Sequence, residues 1–468
     1  MRIVSRMPSQ QSTWFIPLFA GIALASACGS DDGGGPNGAA GAATGGASAG
    51  GATTHSGGGG QAGGAGRAGN TAGSSGTLGA AGHDALAGAA GDDARGGAGA
   101  GGDSATPGEG GSAGTGGEAG IAGAPSDPND TLQRYAYVAT FLNGLIPVSI
   151  EPATGKLSKL GSTVNAGAQL YAVSVDPTQR FVFTAEQGTK KINTYAIAPD
   201  GSLPSQPNSS TTIDGRPTSL TLAAQGRFAY VASSDEDQAI YAFAIDAGSG
   251  ALSAAGEPLK LAAASPAYVA AEPTGHFLYV TQNGAFGIRG YLIDQASGAL
   301  SELATSPYGV TQVSAGAIAF HPGGAFLFTS GAGLNAFAID SASGALTLVE
   351  GSPFSTAVSS DPSASNLAVE PRGKYLYATS FLNPPRVFGF EIDSSSGKLT
   401  AVPGEPIKGG SPYSVAVEPS GRFVFAGNDD GTTSAFSLQR SDGTLHEIDG
   451  SPFQLGGLQP EFAFATAR

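Results

Sequence analysis

The sequence has little of the chemistry that usually identifies a function. One cysteine, one tryptophan and five histidines occur in 468 residues, and only 13% of the residues are charged. A single cysteine excludes an intrachain disulfide, because each bridge needs two thiols. Basic residues number 22 against 37 acidic ones, which gives a net charge of −15. Because nucleic-acid binding needs clustered Lys and Arg to neutralise phosphates, this balance argues against a nucleic-acid partner.

Long apolar runs are also scarce, and the clearest one lies near the N-terminus. Residues 14–27 are apolar, follow the basic residues Arg2 and Arg6, and end at Cys28. This pattern is typical of a secretory signal peptide, and the run is too short for a good transmembrane helix. Residues 24–28, Leu-Ala-Ser-Ala-Cys, resemble the lipobox of bacterial lipoproteins, although the leucine stands one place further from the cysteine than usual.

The resemblance to a lipobox predicts how the protein is anchored. Residues 1–27 would be a lipoprotein signal peptide, and Cys28 would become the lipidated first residue and the only membrane contact. The alternative is an ordinary signal peptide whose cleavage leaves a free thiol. Gly29, and not an aspartate, follows the cysteine. We therefore expect an outer-membrane lipoprotein of the cell envelope, either periplasmic or surface-exposed.

Residues 29–130 lack every aromatic residue and valine, and Leu and Ile occur there only at Leu78, Leu86 and Ile121. A chain made almost entirely of Gly, Ala and Ser cannot bury enough apolar surface to offset its conformational entropy. Residues 28–130 are therefore predicted to be a disordered tether with a mean span on the order of 50–60 Å. Two Gly-x-Ser-x-Gly matches inside it lack the strand and helix that a nucleophile elbow requires.

What the sequence does contain is a repeat over residues 131–468. Copies such as residues 272–277 and 418–423 read Glu-Pro-x-Gly-x-aromatic. The aromatic position recurs at spacings of 46, 47, 49, 49, 49 and 48, at Tyr135, Phe181, Phe228, Phe277, Phe326, Tyr375 and Phe423. A period near 48 with strand-like content indicates a solenoid or a propeller.

Each copy contains four predicted strands. In the last full copy they lie at residues 412–418, 422–426, 433–438 and 444–448. No first strand precedes Arg134, whereas residues 460–466 look like a first strand with nothing after them. One blade is therefore split, and the C-terminal strand closes a ring. We predict an all-β fold, a seven-bladed β-propeller with four-stranded blades.

The repeats resemble the seven-bladed lactonase family, which includes a bacterial 6-phosphogluconolactonase and fungal carboxymuconate cyclases. The shared pattern is P-x-x-x-A-V-E-P-x-G-[RK]-[FY], followed by F-x-I-D-x-x-S-G-x-L, and it covers residues 133–468. The resemblance implies a histidine at the start of an inner strand, with arginine and glutamate nearby. Here His276 and His321 fall at hairpin turns and His446 on an outer strand. The resemblance therefore predicts the fold more firmly than the activity.

Inner-strand starts and second-strand ends share one mouth of the central channel, which is the default ligand site. We expect a small molecule or glycan to be bound there by Tyr171, Tyr268, Asn283, Asn383, Tyr413, Asn428 and Asp429. Glu186 and Glu461 would act as an acid–base pair if burial separated their pKa values, and Arg289 is a third catalytic candidate. The alternatives are turn formation by residues 428–431, tyrosines packed between blades, and pairing of Arg289 with a surface acid.

No cofactor or metal is predicted. Asp235 and Asp237 could hold a Ca²⁺ ion through carboxylate oxygens, but a solvated loop is the simpler interpretation. Three functions remain open for a monomeric, lipid-anchored propeller. It could be a binding module for a glycan or a surface protein, a divergent lactonase-like hydrolase, or a structural envelope protein whose tether is its main device.

Overall fold

The computed structural model describes residues 131–164, 169–234, 238–261, 265–282, 287–309, 316–355, 363–380, 385–403, 407–408 and 410–467. The described residues form seven antiparallel sheets, each built on four strands that pair side by side. The predicted seven-bladed propeller is confirmed. Within these ranges the one helix is the three-residue turn Ala224–Gly226, and no helix has the length and hydropathy needed to cross a membrane. The predicted signal peptide and tether lie outside the described residues.

The blades are numbered 1 to 7 along the chain, and their strands follow one order from the channel outward. The innermost strands are Glu461–Thr466, Leu170–Val175, Arg216–Ala223, Pro266–Ala271, Ile318–Phe320, Asn366–Val369 and Pro412–Val417. The second strands are Arg134–Thr140, Phe181–Glu186, Phe228–Ser234, Phe277–Gln282, Phe326–Thr329, Tyr375–Ser380 and Phe423–Asn428. The third strands are Gly144–Ile150, Lys191–Ala196, Ala239–Ile245, Ile288–Ile293, Asn335–Ile339, Arg386–Ile392 and Thr432–Leu438. The outer strands are Leu157–Lys159, Ser209–Thr212, Leu252–Ala254, Leu300–Glu302, Leu346–Leu348, Leu399–Ala401 and Leu445–Glu447.

The ring closes in blade 1, as the incomplete first repeat predicts. Its innermost strand is C-terminal: Phe462 pairs with Val138 and Phe464 with Ala136 in an antiparallel register. The same second strand pairs on its other side with Gly144–Ile150. The two ends of the domain are thus joined by a full strand pair, which removes the sheet edge that an open array would expose.

Short strands were missing from the sequence-based description. Three two-residue strands each pair with the beginning of a third strand, on the side where the outer strand lies. They are Leu259–Lys260, Ile407–Lys408 and Phe453–Gln454. In blade 2 the outer strand itself lies there, since Ser209–Thr212 pairs with residues 191–194. A further two-residue pair links Gly331–Ala332 to Ser363–Ala364. Strands this short carry too few residues for a periodic pattern to be visible.

The repeated aromatic and the repeated glycine meet between neighbouring blades. A Cβ atom on Gly155 of blade 1 would lie 2.5 Å from a ring carbon of Phe423 in blade 7, and Gly155 has a φ of +75°. The same contact joins the other blades, through Tyr135–Gly201, Phe181–Gly250, Phe228–Gly298, Phe277–Gly344, Phe326–Gly397 and Tyr375–Gly443. The spacing of the motif therefore reflects ring packing on a glycine turn in the next blade.

The acidic residue of the motif folds the inner hairpin. The buried Glu272 carboxylate accepts hydrogen bonds from the backbone N–H groups of Thr274 and His276, each at 2.7 Å. Glu418 does the same for its own turn and also pairs with Arg134 of blade 1, at 3.3 Å. Because both side chains of this ion pair are buried, it adds a charged link to the strand pairing that closes the ring.

Candidate functional site

One mouth of the channel contains a small recess between blades 7, 1 and 2. It is lined by Phe141, Leu170, Tyr171, Tyr413, Gln459 and Glu461. Its enclosed volume is about 10 Å³, room for about one water molecule, within about 200 Å³ of empty space that includes open solvent. Three of these residues, Tyr171, Tyr413 and Glu461, are predicted site residues. Phe141 directly follows the strand Arg134–Thr140, and Gln459 lies two residues before the strand Glu461–Thr466. No sequence motif marks either residue as part of a site.

Glu461 is the one carboxyl group among the residues that line the recess. It begins the strand that closes the ring, where it pairs with Ala139. Its side chain is partly exposed to the channel but is surrounded by protein, and burial raises its pKa to about 8. At neutral pH most molecules therefore carry a neutral carboxylic acid here, and the carboxylate that forms above pH 8 is a stronger base than an exposed glutamate.

Strand bulges position two tyrosines beside this acid. The pairing of blade 2 shifts between Leu170 and Ala172, and that of blade 7 shifts between Pro412 and Ser414. The bulged residues, Tyr171 and Tyr413, line the recess. Bulges re-aim side chains and are frequent next to active sites.

The hydroxyls of both tyrosines stay protonated at physiological pH. Burial, together with the charges of Glu461, Tyr171 and Asp429, raises the pKa of Tyr413. Burial also raises the pKa of Tyr171, although Arg216 opposes the shift. The ring of Tyr171 is held by Phe141, with the centroids 5.7 Å apart in an edge-on contact. Both phenols can therefore donate a hydrogen bond to a bound oxygen.

Tyr268 lies in a different register. In blade 4 the bulge falls at residue 267, between Pro266 and Tyr268, so Tyr268 comes one position later than the bulged tyrosines. Its ring packs against the apolar clusters of blades 4 to 6. Burial raises its pKa, and the charge of Glu461 adds to the shift. Tyr268 therefore packs between blades while remaining within electrostatic reach of the recess.

Asn428 ends the second strand of blade 7 and Asp429 follows it, yet the two residues have different roles. Asn428 is fully buried and donates hydrogen bonds to Thr432 at 2.9 Å and Ser434 at 3.0 Å, so it holds the loop together. Burial and the neighbouring Asp430 raise the pKa of Asp429. Its charge also reaches Tyr413, and Asp429 is therefore the second acid at this mouth.

Glu186 is buried in blade 2 and not in the recess. Its carboxylate accepts hydrogen bonds from Thr189 at 2.7 Å and from Asn193. Burial raises its pKa, and these hydrogen bonds and Lys191 oppose the shift. The backbone of Glu186 pairs with that of Leu170, which lines the recess. The next residue, Gln187, accepts a hydrogen bond from Arg216 at 2.8 Å.

Arg289 contacts residues of its own blade. Its guanidinium donates to Gln282 at 2.8 Å and to Glu302 at 2.6 Å, the latter as an ion pair. Glu302 lies on the outer strand, so this pairing is directed away from the channel. It matches the alternative of a surface ion pair.

Several predicted residues lie outside the described residues, namely Cys28, Asp235, Asp237, Asn283 and Asn383. Among the residues that the structure does describe, no group of three or more His, Cys, Asp or Glu side chains is arranged to hold a metal ion. His276 and His321 lie at the inner hairpins of blades 4 and 5, at the opposite end of the inner strands from the recess.

Comparison with protein families, curated proteins and solved structures tests the family resemblance of the repeats. The chain matches the model of the family described as Lactonase, 7-bladed beta-propeller, over residues 130–215, 205–306 and 268–456. No curated protein matches it. Among solved structures, the periplasmic gluconolactonase of Pseudomonas aeruginosa is 20% identical with a TM-score of 0.62, covering 72% of this chain and 100% of its own.

A candidate 6-phosphogluconolactonase from Bacteroides fragilis is 19% identical with a TM-score of 0.61, covering 72% of this chain and 99% of its own. At such identities the likeness of these structures concerns the fold. The family model, in contrast, matches most of the chain and almost all of the propeller. The chain therefore belongs to the seven-bladed β-propeller lactonase family.

Proposed function

We propose that the protein hydrolyses the lactone of an unphosphorylated sugar acid at the recess, with Glu461 as the general base. The observation that carries this proposal is a carboxyl group with its pKa raised to about 8, placed in a channel recess beside two tyrosines. A base poised near the working pH combines availability with proton affinity, which is the condition for efficient proton transfer.

The chemistry needs only groups that the recess contains. The Glu461 carboxylate would take a proton from water while the water oxygen attacks the lactone carbonyl carbon. Tyr171 or Tyr413 would donate a hydrogen bond to the carbonyl oxygen as it gains negative charge. The proton then passes from Glu461 to the ring oxygen as its bond to the carbonyl carbon breaks, which yields the open hydroxy acid.

The charges around the recess favour a neutral substrate. Asp429 and Glu461 both lie close enough to Tyr413 to affect its pKa. A phosphorylated lactone would therefore face the charge of Asp429, and also that of Glu461 whenever Glu461 is ionised to act as the base. The tyrosine rings supply faces for the apolar side of a sugar ring, and their hydroxyls are suited to its hydroxyl groups. The family model and the name of the Pseudomonas aeruginosa relative support a lactone as the substrate class.

The test is the hydrolysis of glucono-δ-lactone by the purified protein and by its Glu461→Gln variant. Loss of a general base lowers kcat by about 10²- to 10⁴-fold. The wild-type rate should rise with pH to a plateau above about pH 8, following the ionisation of Glu461. Glu447→Gln, on an exposed part of an outer strand, is the matched control and should leave the rate unchanged. Equal turnover by wild type and Glu461→Gln would reject this role.

The second candidate is a binding module without turnover, anchored in the envelope through Cys28. It is favoured by the inner-strand starts, none of which carries the histidine that the family resemblance implies. This protein would hold a glycan, a small molecule or a surface protein at the same mouth. Binding on a glycan array, combined with no hydrolysis of any lactone in a panel, would support it over the hydrolase.

A further inference from the structure

We propose that the interface between blades 1 and 2 binds an ordered water molecule, held by Thr184, Asn193 and Tyr195 beside Glu186. This internal site goes beyond the proposed hydrolase and does not depend on it. The four side chains are among the most buried polar groups of the protein, with exposures of 0% for Thr184, 1% for Glu186, 5% for Asn193 and 0% for Tyr195.

The register of blade 2 brings these side chains onto one face. Thr184 pairs with Asn193, and two residues along each strand Val182 pairs with Tyr195. Side chains of directly opposed residues lie on the same face of a sheet, and so do residues two apart on one strand. That face packs against blade 1, because Val182 and Tyr195 share an apolar cluster with Tyr137. The polar groups are therefore enclosed between two blades.

Three of these groups have an atom without a hydrogen-bond partner. By strict hydrogen-bond geometry they are Thr184 Oγ1, Asn193 Oδ1 and the Tyr195 hydroxyl, half of the six such buried side-chain atoms in the described part of the chain. Asn193 nevertheless lies close enough to Tyr195 to oppose the rise in the pKa of Tyr195 that burial causes. Leaving a buried polar atom unsatisfied destabilises the folded state, so three on one face would be a heavy penalty for a single interface. A water molecule makes about three hydrogen bonds to buried polar groups, which matches this set.

The orientation of Asn193 explains why its oxygen is available. Its amide nitrogen donates to Glu186, whose other carboxylate oxygen accepts from Thr189 at 2.7 Å. The carboxylate thus engages the amide nitrogen, while Oδ1 has no hydrogen-bond partner. Water fits these atoms better than a cation does, because it can donate to Asn193 and exchange hydrogen bonds with two hydroxyls. A hard cation prefers several carboxylate oxygens, and this face supplies one carboxylate that is already hydrogen-bonded.

The other blades lack this combination. At the position of Tyr195, blades 3, 5, 6 and 7 carry phenylalanine, at Phe243, Phe337, Phe390 and Phe436. Blade 5 repeats the threonine–asparagine pair as Thr329 and Asn335, but there the Thr329 hydroxyl donates to a backbone carbonyl at 3.1 Å. Blade 4 has Tyr291 at the equivalent position, and no second unpartnered atom accompanies it on that blade within the described residues.

The direct test is a high-resolution crystal structure of the full protein. We expect one solvent peak between blades 1 and 2, at about 2.7–3.2 Å from the three oxygen atoms. The absence of a solvent peak at this interface would overturn the proposal. It would also be overturned by a flipped Asn193 side chain, in which the amide nitrogen donates to Tyr195 and the amide oxygen accepts from a protonated Glu186. A thermal midpoint that rises with Na⁺ or K⁺ at constant ionic strength would indicate a cation and would also overturn it.

The stability of two variants gives an independent test, because the sign of the effect separates the cases. If water satisfies these atoms, Tyr195→Phe and Thr184→Val each remove a hydrogen bond and lower the thermal midpoint by about 2–4 °C. If the atoms are unsatisfied, removing them relieves a penalty and the midpoint stays or rises. A Tyr195→Phe protein as stable as the wild type would contradict the bound water.

Discussion

Adding one methyl group at Gly155 should weaken the seam between blades 7 and 1. Gly155 lies in the turn between the third and outer strands of blade 1, with a φ of +75°. A Cβ atom there would lie 2.5, 2.7 and 2.8 Å from three ring carbons of Phe423. Carbon atoms make favourable contact at about 3.5–4.0 Å, so Gly155→Ala forces the ring or the turn to move.

Two effects add up in this variant. An alanine in the left-handed region costs roughly 1–2 kcal/mol relative to glycine. Overpacking of a buried contact costs typically about 1–3 kcal/mol more. Phe423 is only 5% exposed and packs with Leu157 and Val148 in one cluster, so its ring has little room to retreat. We expect a loss of about 2–5 kcal/mol in the free energy of unfolding.

Gly161→Ala separates the two effects. Gly161 also has a positive φ, of +67°, but a Cβ atom there would meet nothing within 4 Å. Its variant should therefore lose only the backbone contribution, and the difference between the two variants measures the packing contribution, about 1–3 kcal/mol. Urea denaturation followed by the near-ultraviolet signal of the domain gives both free energies on one protein background.

Equal losses in the two variants would refute the packing argument. A second check combines Gly155→Ala with Phe423→Leu, which removes the ring that the methyl group meets. If the clash is real, the double variant should be more stable than the sum of the two single effects predicts, because the contacts are coupled. Strict additivity would mean that the aromatic–glycine contact is not what the repeat maintains.

Three further predictions concern buried polar groups. Glu418→Gln should destabilise the domain more than Glu272→Gln, because both weaken hydrogen bonds to turn N–H groups but only the first also removes the buried ion pair with Arg134. Similar urea midpoints of the two variants would argue against a stabilising role of this ion pair. Tyr137→Phe should cost about 0.5–1.5 kcal/mol, since its hydroxyl donates at 3.0 Å to a backbone carbonyl of the next blade, and an unchanged urea midpoint would contradict the link. Burial raises the pKa of Glu461 from 4.5 to about 8, so the protonated side chain stabilises the folded state fully below pH 4.5. This contribution declines as the pH rises and is lost above about pH 8, so the thermal midpoints of wild type and Glu461→Gln should diverge across that range. Parallel pH profiles of the two proteins would mean that burial does not raise this pKa.

The fold was largely predictable because each blade uses the same local rules. The Glu-Pro-x-Gly hairpin and the glycine turn are short-range features, and their period reveals the repeat. Predicted strand bounds agree to within about two residues, as for residues 422–426 against the observed Phe423–Asn428. The exception is the outer region of blade 2, where Ser209–Thr212 replaces the expected short strand after the turn. Such pairs of two to four residues depend on tertiary contacts.

The candidate site was predictable only as a location. Sequence reasoning placed Tyr171, Tyr413 and Glu461 at one mouth, and the recess brings these three together. The sequence pattern makes Tyr171 and Tyr268 equivalent, whereas the bulge in blade 4 puts Tyr268 in another register. It also grouped Glu186 with Glu461, but Glu186 is enclosed within blade 2. A one-residue shift turns a side chain to the other face of a strand, and no sequence pattern marked where the bulges fall.

The number of blades, their strand order and the closure of the ring by the C-terminal strand can be predicted from the amino-acid sequence, because they follow from a repeated local pattern and its incomplete first copy. Tertiary structure decided which polar side chains share an environment. Glu461 and Tyr171 lie at opposite ends of the propeller sequence, and closure of the ring makes them neighbours. The raised pKa of Glu461 follows from the burial that this closure creates, and burial is a property of the assembled ring.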